Sequence, residues 1–204
     1  TMQGPALANL IMGKVAPSGR LPMTFPMGEG QIPFYYNYKT PSRKMAKSPK
    51  LINDIPIRAY QFSVGESSYW LEYGNKPEYP FGYGLSYTDF DIAFDSAEQN
   101  EEYVTVKCTV KNTGELAGKE VVQVYVSKPC GKLGNPAKEL VAFGKTKVLG
   151  AGESEALEIN VPVERFWSYD DNGASGYAFS YVMEKGEYAL CVGKNVREAE
   201  KVWS

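Results

Sequence analysis

The side chains with types suited to acid–base or nucleophilic work are 24 carboxylates, 22 Lys and Arg, 15 tyrosines and three cysteines; there is no histidine. That zero removes the Ser-His-Asp triad, the Cys-His pair and the HExxH zinc site, and with them most hydrolase chemistries. Carboxylates remain as candidate acids, bases or nucleophiles by type alone. Cys108, Cys130 and Cys191 are odd in number and too widely separated for a CxxC ligand pair. They read as buried strand residues and a loop thiol, in preference to a disulfide framework or a zinc ribbon. Asp170-Asp-Asn-Gly173 crowds oxygen ligands together but lacks the alternate spacing and distant Glu of a calcium loop, so a solvated turn is expected. Gly82-Tyr-Gly-Leu-Ser86 sets a serine among glycines without a basic partner, and close backbone approach at a junction explains the glycines more simply than a nucleophile does.

The elements that would position these groups fall into three textures. Gly4 to Met12 has Pro5 in a first-turn position and Leu7, Leu10 and Ile11 at helical spacing, predicting a short helix ended by Gly13. Arg20 to Pro26 is strand-like, its prolines suiting a sheet edge. From Met27 to Tyr87 periodicity vanishes. Tyr35, Tyr36, Tyr38, Tyr69, Trp70, Tyr73, Tyr79, Phe81, Tyr83 and Tyr87 carry too much ring area to leave in water, so this connector is expected to glue domains together. From Asp89 onward the period is two. Val104, Val106, Cys108 and Val110 alternate with polar residues, as do Leu157, Ile159 and Val161, and Tyr188, Leu190 and Val192. Val121 to Val126 is apolar on both faces and reads as a central strand, while Trp167 reads as core. Together these predict a mainly β chain built on an antiparallel sandwich of about seven strands.

With 204 residues, 43% apolar and 23% charged, the chain is ordinary globular material. Its net charge of −2 is scattered, which argues against a nucleic-acid partner. No stretch reaches the roughly 18–20 apolar residues of a membrane helix, so no membrane partner is expected. Three cysteines without partners fit a reducing cytoplasm, although the compartment itself is left open.

Several ordered segments resemble one family. Gln3-Gly-Pro-Ala-Leu-Ala, Gly13 and Pro17-Ser-Gly-Arg-Leu-Pro-Met-Thr-Phe-Pro26 are similar to the end of the α/β sandwich domain of glycoside hydrolase family 3, home of many β-glucosidases. Pro80-Phe-Gly-Tyr-Gly-Leu-Ser-Tyr-Thr88 resembles the lead-in to that family's fibronectin type III-like domain. Val110-Lys-Asn-Thr-Gly-Glu115, Gly118 to Tyr125, Lys138 to Phe143 and Gly150 to Ser154 continue the resemblance in order, which is weakest over 39–68 and 95–103. The tail from Phe166 to Arg197 is similar to members whose barrel follows this module, which would place the barrel beyond Ser204 and the start of the α/β domain before Thr1.

The resemblance implies an α/β remnant at 1–27, a connector at 28–88 packed on domain surfaces, and an immunoglobulin/fibronectin type III-like sandwich at 89–204. It also implies a parent enzyme that hydrolyses terminal β-glucosidic bonds with retention, using a carboxylate pair about 5–5.5 Å apart. In that family the nucleophile is an Asp on the barrel and the acid/base a Glu earlier in the α/β domain. This chain matches neither motif, so no catalytic, cofactor-binding or metal residue is assigned and no cofactor is expected. Its expected partners are the rest of the parent glycosidase and, in that parent, a β-glucoside or oligosaccharide. A stand-alone carbohydrate-binding sandwich and a protein–protein interaction module are the alternatives.

Overall fold

A computed structural model describes residues 2–39 and 76–204. Tyr69, Trp70 and Tyr73 of the aromatic connector lie outside the described residues. Among the described residues nine strands follow one α-helix: β1 (Phe90–Gln99), β2 (Tyr103–Asn112), β3 (Val121–Ser127), β4 (Glu139–Lys145), β5 (Ser154–Pro162), β6 (Ser168–Asp170), β7 (Ser180–Val182), β8 (Ala189–Gly193) and β9 (Glu200–Trp203). Seven of them make the sandwich, in sheets ordered β1-β2-β5 and β4-β3-β8-β9, with every pairing antiparallel. β6 and β7 form a separate two-stranded hairpin inserted between β5 and β8. The chain is therefore mainly β, an antiparallel fibronectin type III-like sandwich, as its periodicity predicts.

The period-two pattern sets what lies inside. Val104, Val106, Cys108 and Val110 of β2 face Val122, Val124 and Val126 of β3, with Ile159, Val161, Leu190 and Val192 completing the layer. Each fully buried valine contributes roughly 1.5–3 kcal/mol relative to an exposed one. β3 is flanked by β4 and β8 and is buried on both faces, which explains its unbroken apolar run.

The NTG turn after β2 has an explicit cause. Asn112 is fully buried, and its amide donates to the carbonyls of Leu116 and Leu149 while its Oδ1 accepts from Thr88 Oγ1 at 2.7 Å and from Gly114 N. A Cβ on Gly114 would collide with Thr88, so the buried amide and the close approach together require this sequence.

Two of these expectations need correcting. Arg20 to Pro26 is no regular strand: it pairs irregularly with 78–83 through Leu21 N to Tyr83 O, Gly82 N to Leu21 O and a lone bridge at Phe25 and Tyr79. Pro22, Pro26 and Pro80 cannot donate to a ladder, which limits the pairing to such isolated bonds. Trp167 is not core. Phe166 closes the one-turn 3-10 helix Val163–Phe166 and takes the interior position, leaving Trp167 at 40% exposure on the outer side. The helix Gln3–Ile11, labelled α1, forms as predicted, but none of its residues is buried by the described chain.

The thiols divide as read. Cys108 and Cys191 are buried and Cys130 is exposed. Burial, assisted by the charge of Asp95, pushes the Cys108 thiol up to about 11, and burial also raises that of Cys191 against the lowering effect of Lys138 and Lys201. Since the thiolate is the reactive form, the native chain should consume one equivalent of a thiol reagent at pH 8 and three after denaturation. Three rapid equivalents without denaturant would contradict this burial.

Candidate functional site

The most constrained polar cluster lies where the first 39 residues and 76–88 meet the sandwich. Arg20 follows the Pro17-Ser-Gly19 turn and reaches across to two partners. Its Nη1 donates to the carbonyl of Gly84 at 2.6 Å, and its Nη2 is hydrogen-bonded to Glu120 Oε1 just ahead of β3. The Glu120 side chain is only 3% exposed. Glu120 is held in turn: Oε1 accepts from Val121 N at 2.5 Å, and its own N–H donates to Thr146 Oγ1 at 3.0 Å, beyond the end of β4. Gly84 is obligatory here because a Cβ would strike the Gly19 carbonyl and the Arg20 side chain. The glycines around Ser86 thus serve close approach, and the Ser86 hydroxyl is buried without a hydrogen-bond partner.

A second layer covers the outer face of the four-stranded sheet. Tyr36 stacks on Phe81 with ring centroids 4.0 Å apart and meets Tyr125 edge-on at 6.4 Å. The Tyr36 hydroxyl accepts from Leu140 N at 3.1 Å, at the place where the β3–β4 register shifts. Tyr125 donates to Gln123 Oε1 at 2.6 Å, and Gln123 Nε2 donates to the Gly82 and Lys194 carbonyls. Gly82 has φ +81°, and a Cβ there would meet Gln123, so this turn admits glycine alone. Burial pushes the Tyr125 and Tyr36 hydroxyls upward from the ordinary value of 10.0, with the Tyr36 hydroxyl eased by the Leu140 N–H. Both stay neutral and act as hydrogen-bonding struts. Further bonds from Lys145 Nζ to Ser18 O at 2.9 Å and from Tyr87 OH to Leu10 O at 3.0 Å complete the seam.

Asp170, read as part of a solvated turn, is fully buried. Its carboxylate accepts from the N–H groups of Asn172, Gly173, Ala174 and Ser175 and from Ser175 Oγ at 2.6 Å. Both oxygens are occupied by donors, which makes Asp170 a loop staple. Among the described residues no group of three or more His, Cys, Asp or Glu is arranged to hold a metal ion, and no helix of the described residues is long and apolar enough to cross a membrane. Nothing in the described seam pairs two carboxylates across an open cleft: Glu120 is enclosed and bound to Arg20. This arrangement can join and orient domains, and it does not present a nucleophile.

Fold and seam define a class: a fibronectin type III-like sandwich sutured to the segment that precedes it in the chain. Residues 1–87 match the glycosyl hydrolase family 3 C-terminal domain and residues 120–196 the fibronectin type III-like domain. A β-glucosidase of Ruminococcus albus is 37% identical over 98% of this chain. Solved β-glucosidases from Paenibacillus barengoltzii (35% identity, TM-score 0.75) and from Listeria innocua with isofagomine (32%, TM-score 0.77) each cover 98% of it. The chain belongs to glycoside hydrolase family 3, in its β-glucosidase-type C-terminal region. It spans 20% of the Ruminococcus protein's length and 21% and 26% of the two solved chains.

Two outcomes check this geometry. Removing one partner of a buried ion pair leaves the other charge uncompensated, which costs about 3–5 kcal/mol, whereas replacing both with apolar residues is far milder. Arg20→Met and Glu120→Met should each lower the denaturant midpoint sharply, and the double variant should recover most of the loss; simple additivity would refute the coupling. For Asp170, the Ser175 hydroxyl and then the loop N–H groups hold the carboxyl down to about 2, against the opposing effect of burial. A depressed folded-state value means that the contribution is complete above the ordinary 3.8 and is lost as pH falls through about 2. The Gly173 and Ser175 amide proton shifts, followed by NMR between pH 6 and 1.5, should titrate near 2; a midpoint near 4 would contradict the staple.

Proposed function

We propose that this chain is a non-catalytic structural segment of a longer glycosidase, docking the parent's domains and holding them in register. In this reading 1–27 is the end of an α/β domain, 28–88 the connector and 89–204 the sandwich. The parent hydrolyses terminal β-glucosidic bonds with retention, and its two carboxylates come from outside the chain.

The observation that carries the reading is the contrast between the two ends of the N-terminal segment. Arg20 is locked into the sandwich by a buried ion pair and a backbone bond. α1, a few residues earlier, turns Leu7 and Ile11 to water, as does the Met12 that caps it, and none of its residues is fully buried. A helix this apolar and this bare is suited to being covered by more of an α/β domain. The names of the relatives supply the substrate class, a β-glucoside.

The purified 204-residue chain should show no turnover of aryl β-glucosides above background. Activity comparable to a full-length family member would overturn the non-catalytic reading. Within a full-length parent, deletion of 89–204 should lower the melting temperature by several degrees.

A further inference from the structure

The β6–β7 hairpin has its polarity reversed. Its register pairs Ser168 with Val182, Tyr169 with Tyr181 and Asp170 with Ser180. The buried positions are polar, Ser168 and Asp170, while the other face carries Trp167, Tyr169, Phe179, Tyr181 and Met183, with Tyr177 at the turn. Phe179, Tyr177 and Tyr181 are 75%, 70% and 68% exposed. A hairpin stabilised only by its own sandwich would turn its rings inward.

This display is rigid. Five donors close on Asp170, and the foot is tied by Ser168 Oγ to Asn135 Oδ1 at 2.8 Å and by Lys128 Nζ to the Trp167 carbonyl at 2.7 Å. Phe179 adopts φ +60°, uncommon for a bulky side chain, with its N–H donating to the Asp170 carbonyl at 2.7 Å. The fold thus holds a strained backbone where the most exposed ring projects.

The hairpin's foot is also far from the Arg20–Glu120 pair. That seam grips Glu120, before β3, whereas the hairpin's foot grips Lys128, beyond its end. Eight residues of extended chain separate them by about 25 Å. The ion pair of the seam and the foot of the hairpin therefore sit at opposite ends of β3, while the aromatic layer of the seam extends as far as Leu140, beside the Lys128–Glu139 pair.

We propose that the outer face of this hairpin is a second docking surface, whose occupant is another domain of the same longer polypeptide. The inference rests on the structural reading given under Proposed function and adds a separate face to it. Area selects this occupant. At roughly 200 Å² per ring, the exposed fractions of the five aromatic residues leave about 600 Å² uncovered. That falls below the ~800 Å² per partner typical of stable complexes between separate proteins. It is ample for contacts between tethered domains, where the linker supplies a high effective concentration. The matched relatives are four to five times longer than this chain, so ample polypeptide is available to cover the face. A sugar fits less well: the Tyr169 and Tyr181 rings are tilted by 59° and give no flat platform, and Phe179 and Met183 have no polar edge.

The test uses the full-length polypeptide with a benzophenone-bearing residue at Tyr177, an exposed turn position, and in a second sample at Leu7 on α1. After irradiation, the Tyr177 probe should crosslink within one chain to a peptide outside residues 1–204. Crosslinks between two copies, crosslinks confined to residues 1–204, or no protein crosslink while the Leu7 probe reacts, would each overturn the hairpin proposal alone. Failure of the Leu7 probe to reach any segment outside 1–204 would instead remove the docking reading on which it rests.

Discussion

A guanidinium and a carboxylate with little access to water stabilise one another only when held in contact, and the junction in this chain is arranged around that demand, with both Nη atoms of Arg20 bonded and its Nε buried without a partner. Arg20 and Glu120 are 100 residues apart in sequence and meet between the N-terminal segment and the sandwich. Desolvating both charges is expensive unless their remaining hydrogen-bonding capacity is met. The Gly84 carbonyl, the Val121 amide and the Thr146 hydroxyl fix Arg20 and Glu120 in place. Each of these partners comes from a different stretch, so the pair can form only when the connector, the start of β3 and the end of β4 are all in place.

The aromatic layer depends on this registration. With Gly84 held against Gly19, Phe81 and Gly82 are delivered onto β3, where Tyr36, Tyr125 and Gln123 receive them. Dispersion and ring geometry then add stability over a broad area, whereas the ion pair fixes position. The same strand carries both contacts and is buried on both faces. β3 therefore transmits its alignment from the seam at one end to the Lys128 foot of the inserted hairpin at the other.

This glycoside hydrolase family 3 segment commits its buried polar side chains to structure. Its polar groups are spent on holding backbone: Asp170 on a loop, Asn112 on a turn, Gln123 on the connector. A carboxylate so committed is poorly placed to exchange protons with a substrate.

The sequence by itself determined the sandwich and its inner face, because a period of two assigns each valine of β2, β5 and β8 to the core without knowledge of partners, and the unbroken apolar run of β3 marks it as central. It also specified the family, since the Gly-Arg-Leu-Pro and Phe-Gly-Tyr-Gly-Leu-Ser segments record close approaches that tolerate few alternatives. Less was legible where a strand is an edge or is bulged. β4 has a register shift and half-buried residues, and β1 breaks its alternation between Phe94 and Ser96. Only the tertiary structure decided that Arg20 pairs with Glu120, that Asp170 is buried, and that Trp167 faces outward. Each depends on residues distant in the chain or on a one-residue change of phase after a turn, and local pattern carries neither kind of information.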